Sequence, residues 1–410
     1  MIIAKLTDFG TILVVLRLLT KEQVGTASLV VAFGMVVEAL DGLGTSAALV
    51  QAPSVSRPQL DSLFWVIMGG ALVVAAVTVL AAPWVASLYG VAGMAAYFLA
   101  VAIKQPLVAA AVIPLAIMNR DLQYERIASI NVCSTFAAAL TRLGLALGGA
   151  GAWAIVTAYA ASGLYTLVGV SFVRPFRPRF RLSMPEVSPL LRFGWRATVS
   201  ALCEQMINNV HYLLVGWFYG AAPLAEYRVA FDLAMEPANA AGLLINRTAL
   251  PVFAKVSAVR ERLAESLTWS LRRLLAVACP IAVVIVLASD PITALIHDEQ
   301  GRSYAAASLP LKLLAVAAVL RVVMQLAYPL LFGSGRPQMA VRLSATTLLL
   351  LSAGMVLVGL TVPVANGVVA ISAVWLAVPP LLLLWQAHYL RRHWNIGARD
   401  LILGTSAASR

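Results

Sequence analysis

The chain has 410 residues, 61% of them hydrophobic and only 12% charged, and its mean hydropathy is +0.88. That balance excludes a water-soluble globular fold, in which about 25% of residues are charged. The formal net charge of +12 does not point to nucleic acid, because the basic residues sit in alternate short loops, the pattern that membrane topology imposes.

A hydrocarbon core needs about 20 mainly apolar residues per helix. The apolar runs predict twelve spans, at 2–19, 24–49, 61–82, 93–118, 127–148, 150–173, 195–219, 226–254, 274–288, 309–333, 340–361 and 367–390. The ninth is short unless it takes in part of the basic stretch before it. Lys5 and Asp8 interrupt the first run, and Arg17 and Lys21 follow it where a cleavage site would need small residues. The first helix is therefore read as retained.

Basic residues set the orientation. One set of alternate loops holds Arg57, Arg120, Arg126, the run Arg174 to Arg196, Lys255 to Arg273, Arg336, Arg342, Arg391, Arg392, Arg399 and Arg410. That is twenty of the thirty Lys and Arg. The opposite loops hold Arg17, Lys21, Arg228, Arg302 and Lys312. An all-α polytopic protein with both termini in the cytoplasm is expected, in the inner (plasma) membrane.

The segment Arg174-Pro-Phe-Arg-Pro-Arg-Phe-Arg181 cannot cross a bilayer and divides the chain. The expected organisation is a six-helix bundle at 1–173, a basic cytoplasmic linker at 174–194, a second six-helix bundle at 195–390 and a cytoplasmic tail at 391–410. Two bundles suggest a transporter with a binding site where repeats meet. Self-alignment of the halves is weak, so the repeat rests on topology.

Ionisable groups at membrane depth are costly and tend to face a wet interior. They crowd into the first two helices of each half: Lys5 and Asp8, Glu38 and Asp41, Glu204 and His211, then Asp232, Glu236 and Arg247. Helical spacing places Arg228, Asp232, Glu236, Asn239 and Asn246 on one stripe. It does the same for Glu204, Asn208 and His211, and for Glu38, Asp41 and Thr45. The other reading of these stripes is that the groups satisfy one another as buried pairs. Lys104, Arg142 and Arg321 are the remaining deep charges, with Gln325 and Tyr328 on the Arg321 face. Arg321, near mid-span, suits a phosphate, since guanidinium forms paired charge-assisted bonds with phosphate oxygens. For Arg142, snorkelling to an interface is an equal alternative.

The candidate substrate-binding residues are Lys104, Arg142, Asn208, His211, Arg247, Arg321 and Gln325. The candidate proton- or sodium-coupling acids are Glu38, Asp41, Asp232 and Glu236. No cofactor or metal is expected: Cys133, Cys203 and Cys279 have no paired spacing and read as small packing residues. Gly144, Gly148, Gly149 and Gly151 lack a following Lys-Ser/Thr and read as close helix packing and a tight hairpin rather than a phosphate loop.

Several segments resemble the Wzx-type polysaccharide flippases of the multidrug/oligosaccharidyl-lipid/polysaccharide exporter superfamily. They are Leu16-Arg-Leu-Leu-Thr-Lys-Glu-Gln-Val-Gly25, Leu40-Asp-Gly-Leu-Gly-Thr-Ser-Ala-Ala-Leu-Val-Gln51, Asn209-Val-His-Tyr-Leu-Leu-Val-Gly216 and Ala225-Glu-Tyr-Arg-Val-Ala230. Ala249-Leu-Pro-Val-Phe-Ala-Lys-Val-Ser257, Leu309-Pro-Leu-Lys-Leu-Leu-Ala315 and Leu331-Phe-Gly-Ser-Gly-Arg-Pro337 continue the series. The resemblance implies two bundles around a cationic cavity lined by the first, second, seventh and eighth helices. It also implies alternating-access transfer of a polyprenyl-pyrophosphate-linked oligosaccharide to the outer leaflet, with no bond made or broken, so no enzyme. Membrane lipid, a polysaccharide polymerase and glycosyltransferases are the implied partners.

Three departures stand out. His211 replaces an acid usual in relatives, the first half lacks a run-in before Ile2, and the chain stops after the twelfth span where some relatives continue. Two alternatives stay open: an ion-coupled drug or metabolite exporter of the same superfamily, and a membrane enzyme of envelope polysaccharide assembly. The short outer loop at 289–308, with Asp290, His297, Asp298 and Glu299, argues against the enzyme.

Overall fold

The computed structural model describes residues 2–42, 44, 45, 48, 49, 52, 54–256, 259–397 and 400; the side chains of 2–6, 9, 193, 196, 197, 200, 241, 243–248, 250, 251, 254 and 337 lie outside that description. The protein is an all-α, multi-pass membrane protein. Its helices are α1 (Ile2–Leu18), α2 (Lys21–Glu38), α3 (Arg57–Tyr89), α4 (Met94–Arg120), α5 (Tyr124–Leu147), α6 (Ala152–Val173), α7 (Met184–Tyr219), α8 (Ala221–Val256) and α9 (Arg260–Leu295). After a short 3-10 turn come α10 (Ser308–Gln325), α11 (Ala327–Gly333), α12 (Pro337–Thr361) and α13 (Val364–Trp394).

Among the described residues, eight helical stretches are long and apolar enough to cross a membrane: α3, α4, α5, α6, α9, 305–333, α12 and α13. The other predicted spans are helical as α1, α2, α7 and α8, and these carry most of the ionisable side chains that the sequence places at membrane depth. Leu72, Leu80, Trp84 and Leu287 are among the large apolar residues that point outward, as a lipid-facing surface requires.

Caps fix several helix starts. Thr20 with Gln23 and Ser56 with Gln59 form reciprocal capping boxes at α2 and α3. Four predicted boundaries shift. The span expected at 24–49 leaves the helix after Glu38, where turns follow and Gly44 adopts φ 62°, a backbone state that glycine reaches without steric cost. Asp41 and Thr45 therefore do not share a helical stripe with Glu38. The span expected at 195–219 starts at Met184, helped by a proline in the first turn and Glu186 near the positive helix end. The short ninth span is a 36-residue helix from Arg260, whose leading turns bury Leu263 and Leu267. The span expected at 309–333 breaks at Leu326, where Pro329 lacks the N–H that would continue the ladder.

The chain forms two compact units, Met1–Ala225 with Ile296–Arg302, and Glu226–Leu295 with Ser303–Arg410. In the first, α2 packs on α4, α6 and α7, α3 on α4 and α7, and α5 on α1 and α6. Tyr89 donates to the Leu213 carbonyl at 3.2 Å. The α5–α6 hairpin turns through Gly149 (φ 73°) and Gly151 (φ 57°), as the glycine run suggests, but a Cβ on Gly144 would meet nothing within 4 Å. The expected close packing at that glycine is absent, because it faces away from any neighbouring helix. Cys133 and Cys279 are likewise exposed and Cys203 half-buried, so the first two are not core packing residues.

Segment 296–302 docks on the first unit through charge. Arg302 forms two hydrogen bonds to the Glu22 carboxylate, at 2.8 and 2.6 Å, and a third to Asp298 at 2.7 Å. The Glu299 N–H donates to the Leu19 carbonyl at 3.3 Å. The Arg302 guanidinium beside Glu22 holds its carboxyl down at about 2. Burial pushes the Asp298 carboxyl up, but hydrogen bonds from the Arg302 side chain and backbone outweigh it and leave Asp298 below its usual range.

In the second unit α10 packs on α9 and α13, and α12 on α13. Phe253 of α8, Leu263 and Leu267 of α9, Leu330 of α11 and Ile396 beyond α13 form one buried cluster.

Candidate functional site

Membrane-depth charges gather most densely in the first unit, where the end of α2 faces α4 and α6. Lys104 of α4 is 6% exposed and Asp41 only 2%. The Lys104 ammonium pairs with Glu38 and lies 3.4 Å above the Tyr159 ring of α6. The Tyr159 hydroxyl donates to the same Glu38 oxygen at 2.8 Å. Gln105, with its amide nitrogen turned to the carboxylate, donates to Asp41. The Thr45 hydroxyl donates to the Gly42 carbonyl at 2.6 Å and holds the turn that presents Asp41.

Small residues make this cluster fit. A Cβ on Gly34 would stand 2.7 Å from the Tyr159 hydroxyl, and one on Gly163 would stand 3.1 Å from the Lys104 stem. Burying these charges is costly, and pairing with full hydrogen bonding is what offsets that cost. Of the sequence candidates, Glu38, Asp41 and Lys104 thus come together. Tyr159, Gln105, Gly34 and Gly163 are added by the fold.

Arg142 of α5 meets α1. It donates to the Asp8 carboxylate at 2.6 Å, to the Asp8 carbonyl at 3.0 Å and to the Thr11 hydroxyl at 2.7 Å. In this state the guanidinium is committed to Asp8 rather than extended to an interface. On α7, His211 is fully buried; its Nε2 lies 2.9 Å from the Asn208 carbonyl and its ring 4.0 Å from that of Tyr212. Asn208 is half-buried one turn away, and Asn209 donates to the Gln205 carbonyl at 2.9 Å.

The remaining candidates lie in the second unit. Asp232 accepts from Arg228 at 3.3 Å along the α8 stripe, and Glu236 lies one turn on at an exposed position. Arg321 of α10 is 7% exposed, and its guanidinium lies 5.1 Å from the centre of the Trp375 ring of α13, within cation–π range. The Trp375 indole N–H donates to the buried Tyr227 hydroxyl of α8 at 2.9 Å, which fixes the aromatic face that Arg321 meets. Gln325, one turn on, is half-buried and close to Gly242 of α8. Arg247, together with Asn246 of the α8 stripe and Lys5 of α1, lies outside the described side chains. The same unit holds an apolar cavity of about 230 Å³ bounded by Leu267, Val323, Leu330, Met339, Leu383 and Tyr389.

Chemically, these groups can bind, neutralise and exchange charge. Each deep cation described sits beside a carboxylate or an aromatic face that could yield to a ligand anion. Among the described residues no cluster of three or more His, Cys, Asp or Glu has metal-ligand geometry.

A family model described as polysaccharide biosynthesis protein matches residues 14–306. The lipopolysaccharide biosynthesis protein WzxC of Escherichia coli (strain K12) is 24% identical over 76% of this chain and 63% of its own length. The teichuronic acid biosynthesis protein TuaB of Bacillus subtilis (strain 168) is 25% identical over 75% and 64%. The succinoglycan biosynthesis transport protein ExoT of Rhizobium meliloti (strain 1021) is 23% identical over 71% and 59%. The chain thus spans about six tenths of the length of these relatives. Among solved structures, a lipid II flippase MurJ in an inward-closed conformation matches with a TM-score of 0.75 at 14% identity, over 95% of this chain and 88% of that one. An inward-facing multidrug resistance MATE family transporter of the MOP superfamily matches at 0.68 and 16%, over 95% and 94%. The fold is that of this transporter superfamily.

Proposed function

The chain belongs to the polysaccharide biosynthesis protein family, and from that premise we propose that it turns a polyprenyl-pyrophosphate-linked oligosaccharide repeat unit from the cytoplasmic to the outer leaflet by alternating access. No bond is made or broken. The observation that carries this reading is Arg321, a guanidinium 7% exposed on an apolar helix and set against the Trp375 ring. A buried guanidinium fits the planar, doubly acceptor face of a phosphate, which a lipid-linked sugar must carry through the membrane. The names of WzxC, TuaB and ExoT support the substrate class, and the fold shared with a lipid II flippase supports the mode of movement.

Exporting a cationic drug would call for acids open to the ligand. Glu38 is instead occupied by Lys104 and Tyr159, which counts against a cation site there. Any coupling to a proton or sodium gradient falls in this proposal to Asp232, Glu236, Glu38 and Asp41. Polymerase and glycosyltransferases act before and after transfer, as partners of the same assembly. The test is loss of the gene in its own host. Lipid-linked repeat units are expected to accumulate facing the cytoplasm while glycosyl transfer continues; accumulation facing outward would overturn the proposal.

A further inference from the structure

The irregular segment 174–183 is strapped over the leading turns of α3. The Arg57 guanidinium donates to the Arg177 carbonyl at 2.6 Å, and the Trp65 indole donates to the Arg179 carbonyl at 3.0 Å. The Arg179 N–H donates to Asp61 at 3.3 Å, and the Ser183 N–H to the Ser62 hydroxyl at 3.1 Å. Beneath the strap lies a cavity of about 290 Å³. Arg57, Arg120, Arg174 and Asp121 line it together with Leu60, Ile117 and Phe176, and the Arg57 guanidinium lies 4.3 Å from the centre of the Phe176 ring.

In the strap and the helix ends beside it, arginines outnumber acids. Arg57 pairs with Asp61 at 3.3 Å and Arg174 with Asp121 at 3.2 Å, yet their side chains remain 48% and 45% exposed. Arg120 donates to the Leu49 carbonyl at 2.9 Å. The strap adds Arg177, Arg179 and Arg181 and has no acid of its own; Glu186, in the first turn of α7, answers Arg181. Topology alone asks only for positive charge in a loop; it does not ask for guanidiniums to converge on a walled hollow.

The surroundings are those of a lipid interface. The leading turn of α3, the last turn of α4 and the end of α6 meet at the arginine-rich side, which the distribution of basic residues assigns to the cytoplasm. Phe180 is 90% exposed and packs on Trp65 with ring centres 5.2 Å apart. Aromatics at headgroup level anchor to the bilayer, and basic clusters there attract anionic lipid.

We propose that this cavity binds the phosphate of an anionic phospholipid of the cytoplasmic leaflet. The guanidiniums of Arg57, Arg120 and Arg174 receive the phosphodiester oxygens, and Phe176, Ile117 and Leu60 meet the glycerol end of the lipid. Such a lipid would fasten the strap to α3 and α4. The site is separate from Arg321 and does not depend on what the protein transports.

The test uses the full chain in detergent, with lipid binding titrated by native mass spectrometry. Phosphatidylglycerol is expected to bind at least about tenfold more tightly than phosphatidylcholine, in line with charge-assisted bonds that the choline headgroup blunts. Arg174→Gln and Arg120→Gln are expected to weaken phosphatidylglycerol about tenfold, while Arg181→Gln, which removes the same charge outside the cavity, changes it less than about twofold. Arg174 is surface-exposed, so if Arg120→Gln fails to fold, Arg174→Gln decides alone. Equal losses from Arg174→Gln and Arg181→Gln would show diffuse attraction and overturn the site, as would equal affinity for phosphatidylcholine. Two competitors separate the sources of phosphate. If inorganic phosphate displaces phosphatidylglycerol at comparable concentration, the site is a free-phosphate site. If farnesyl diphosphate binds more tightly, it is a substrate subsite. Either result overturns the phospholipid assignment.

Discussion

The backbone carbonyl of Ala221, at the start of α8, occupies the space that a Cβ on Gly25 of α2 would need. A few residues away, a Cβ on Gly216 of α7 would press into the Leu29 side chain of α2. The two glycines let α2 approach its neighbours at backbone distance. Because the obstacle at Gly25 is backbone rather than a flexible side chain, Gly25→Val is expected to cost at least the roughly 1–3 kcal/mol typical of overpacking. Gly69→Ala is the control: it lies on α3 with nothing within 4 Å of the added carbon, and gains about 0.5–1 kcal/mol of helix propensity. Thermal unfolding of the purified variants in one detergent is expected to separate them by sign.

At the α2–α4–α6 cluster, Lys104→Met would leave the half-buried Glu38 and the buried Asp41 beside each other without the ammonium. Removing one partner of a buried pair costs about 3–5 kcal/mol, much of it the penalty of the charge left behind. Lys104→Met combined with Glu38→Gln is therefore expected to recover a large part of the lost stability. A double variant that melts no higher than Lys104→Met would show that the pair does not hold these helices.

The spans were legible as apolar runs, and so was the concentration of charge in α1, α2, α7 and α8, because an ionisable residue in an apolar run stands out by itself. The partners were not. Tyr159 is 121 residues from Glu38, and within an alanine-rich helix it reads as one more interfacial aromatic. Gly34 and Gly163 matter only through the side chains they admit. The breaks after Glu38 and Gln325 had local signals in Gly44 and Pro329 that hydropathy averages away. The amphipathic opening of α9 was hidden for the opposite reason, since its basic face lowers the average over a helix that buries Leu263 and Leu267.

Segment 296–302 gives a pH dependence with a defined sign. Arg302 lowers the Glu22 carboxyl from 4.5 to about 2, so folding releases a proton in that range. The stabilisation is complete above the unfolded value near 4.5 and is lost as pH falls toward 2. Glu22 is half-exposed, its side chain being 51% accessible, so solvent screening keeps the effect small. The melting temperature of the wild type is expected to fall between pH 5 and 2.5 more steeply than that of Glu22→Gln. Parallel curves would mean the pairing contributes nothing to stability.

Arg321 separates a structural from a transport role. Its contact with Trp375 contributes about 0.5–2 kcal/mol, modest beside the stability of a protein this size. Arg321→Ala is therefore expected to leave insertion and abundance unchanged. If the guanidinium receives a phosphate during transfer, losing a charge-assisted bond of about 1.5–3 kcal/mol slows translocation at least about tenfold. Arg321→Lys keeps the charge but not the planar fork, and is expected to fall between. Trp375→Phe keeps an aromatic face while removing the bond to Tyr227, so a transport defect there with Arg321 intact would show that the orientation of the guanidinium matters as well as its charge. Polymer export measured at matched protein levels decides the matter: normal export by Arg321→Ala removes this residue from the substrate path.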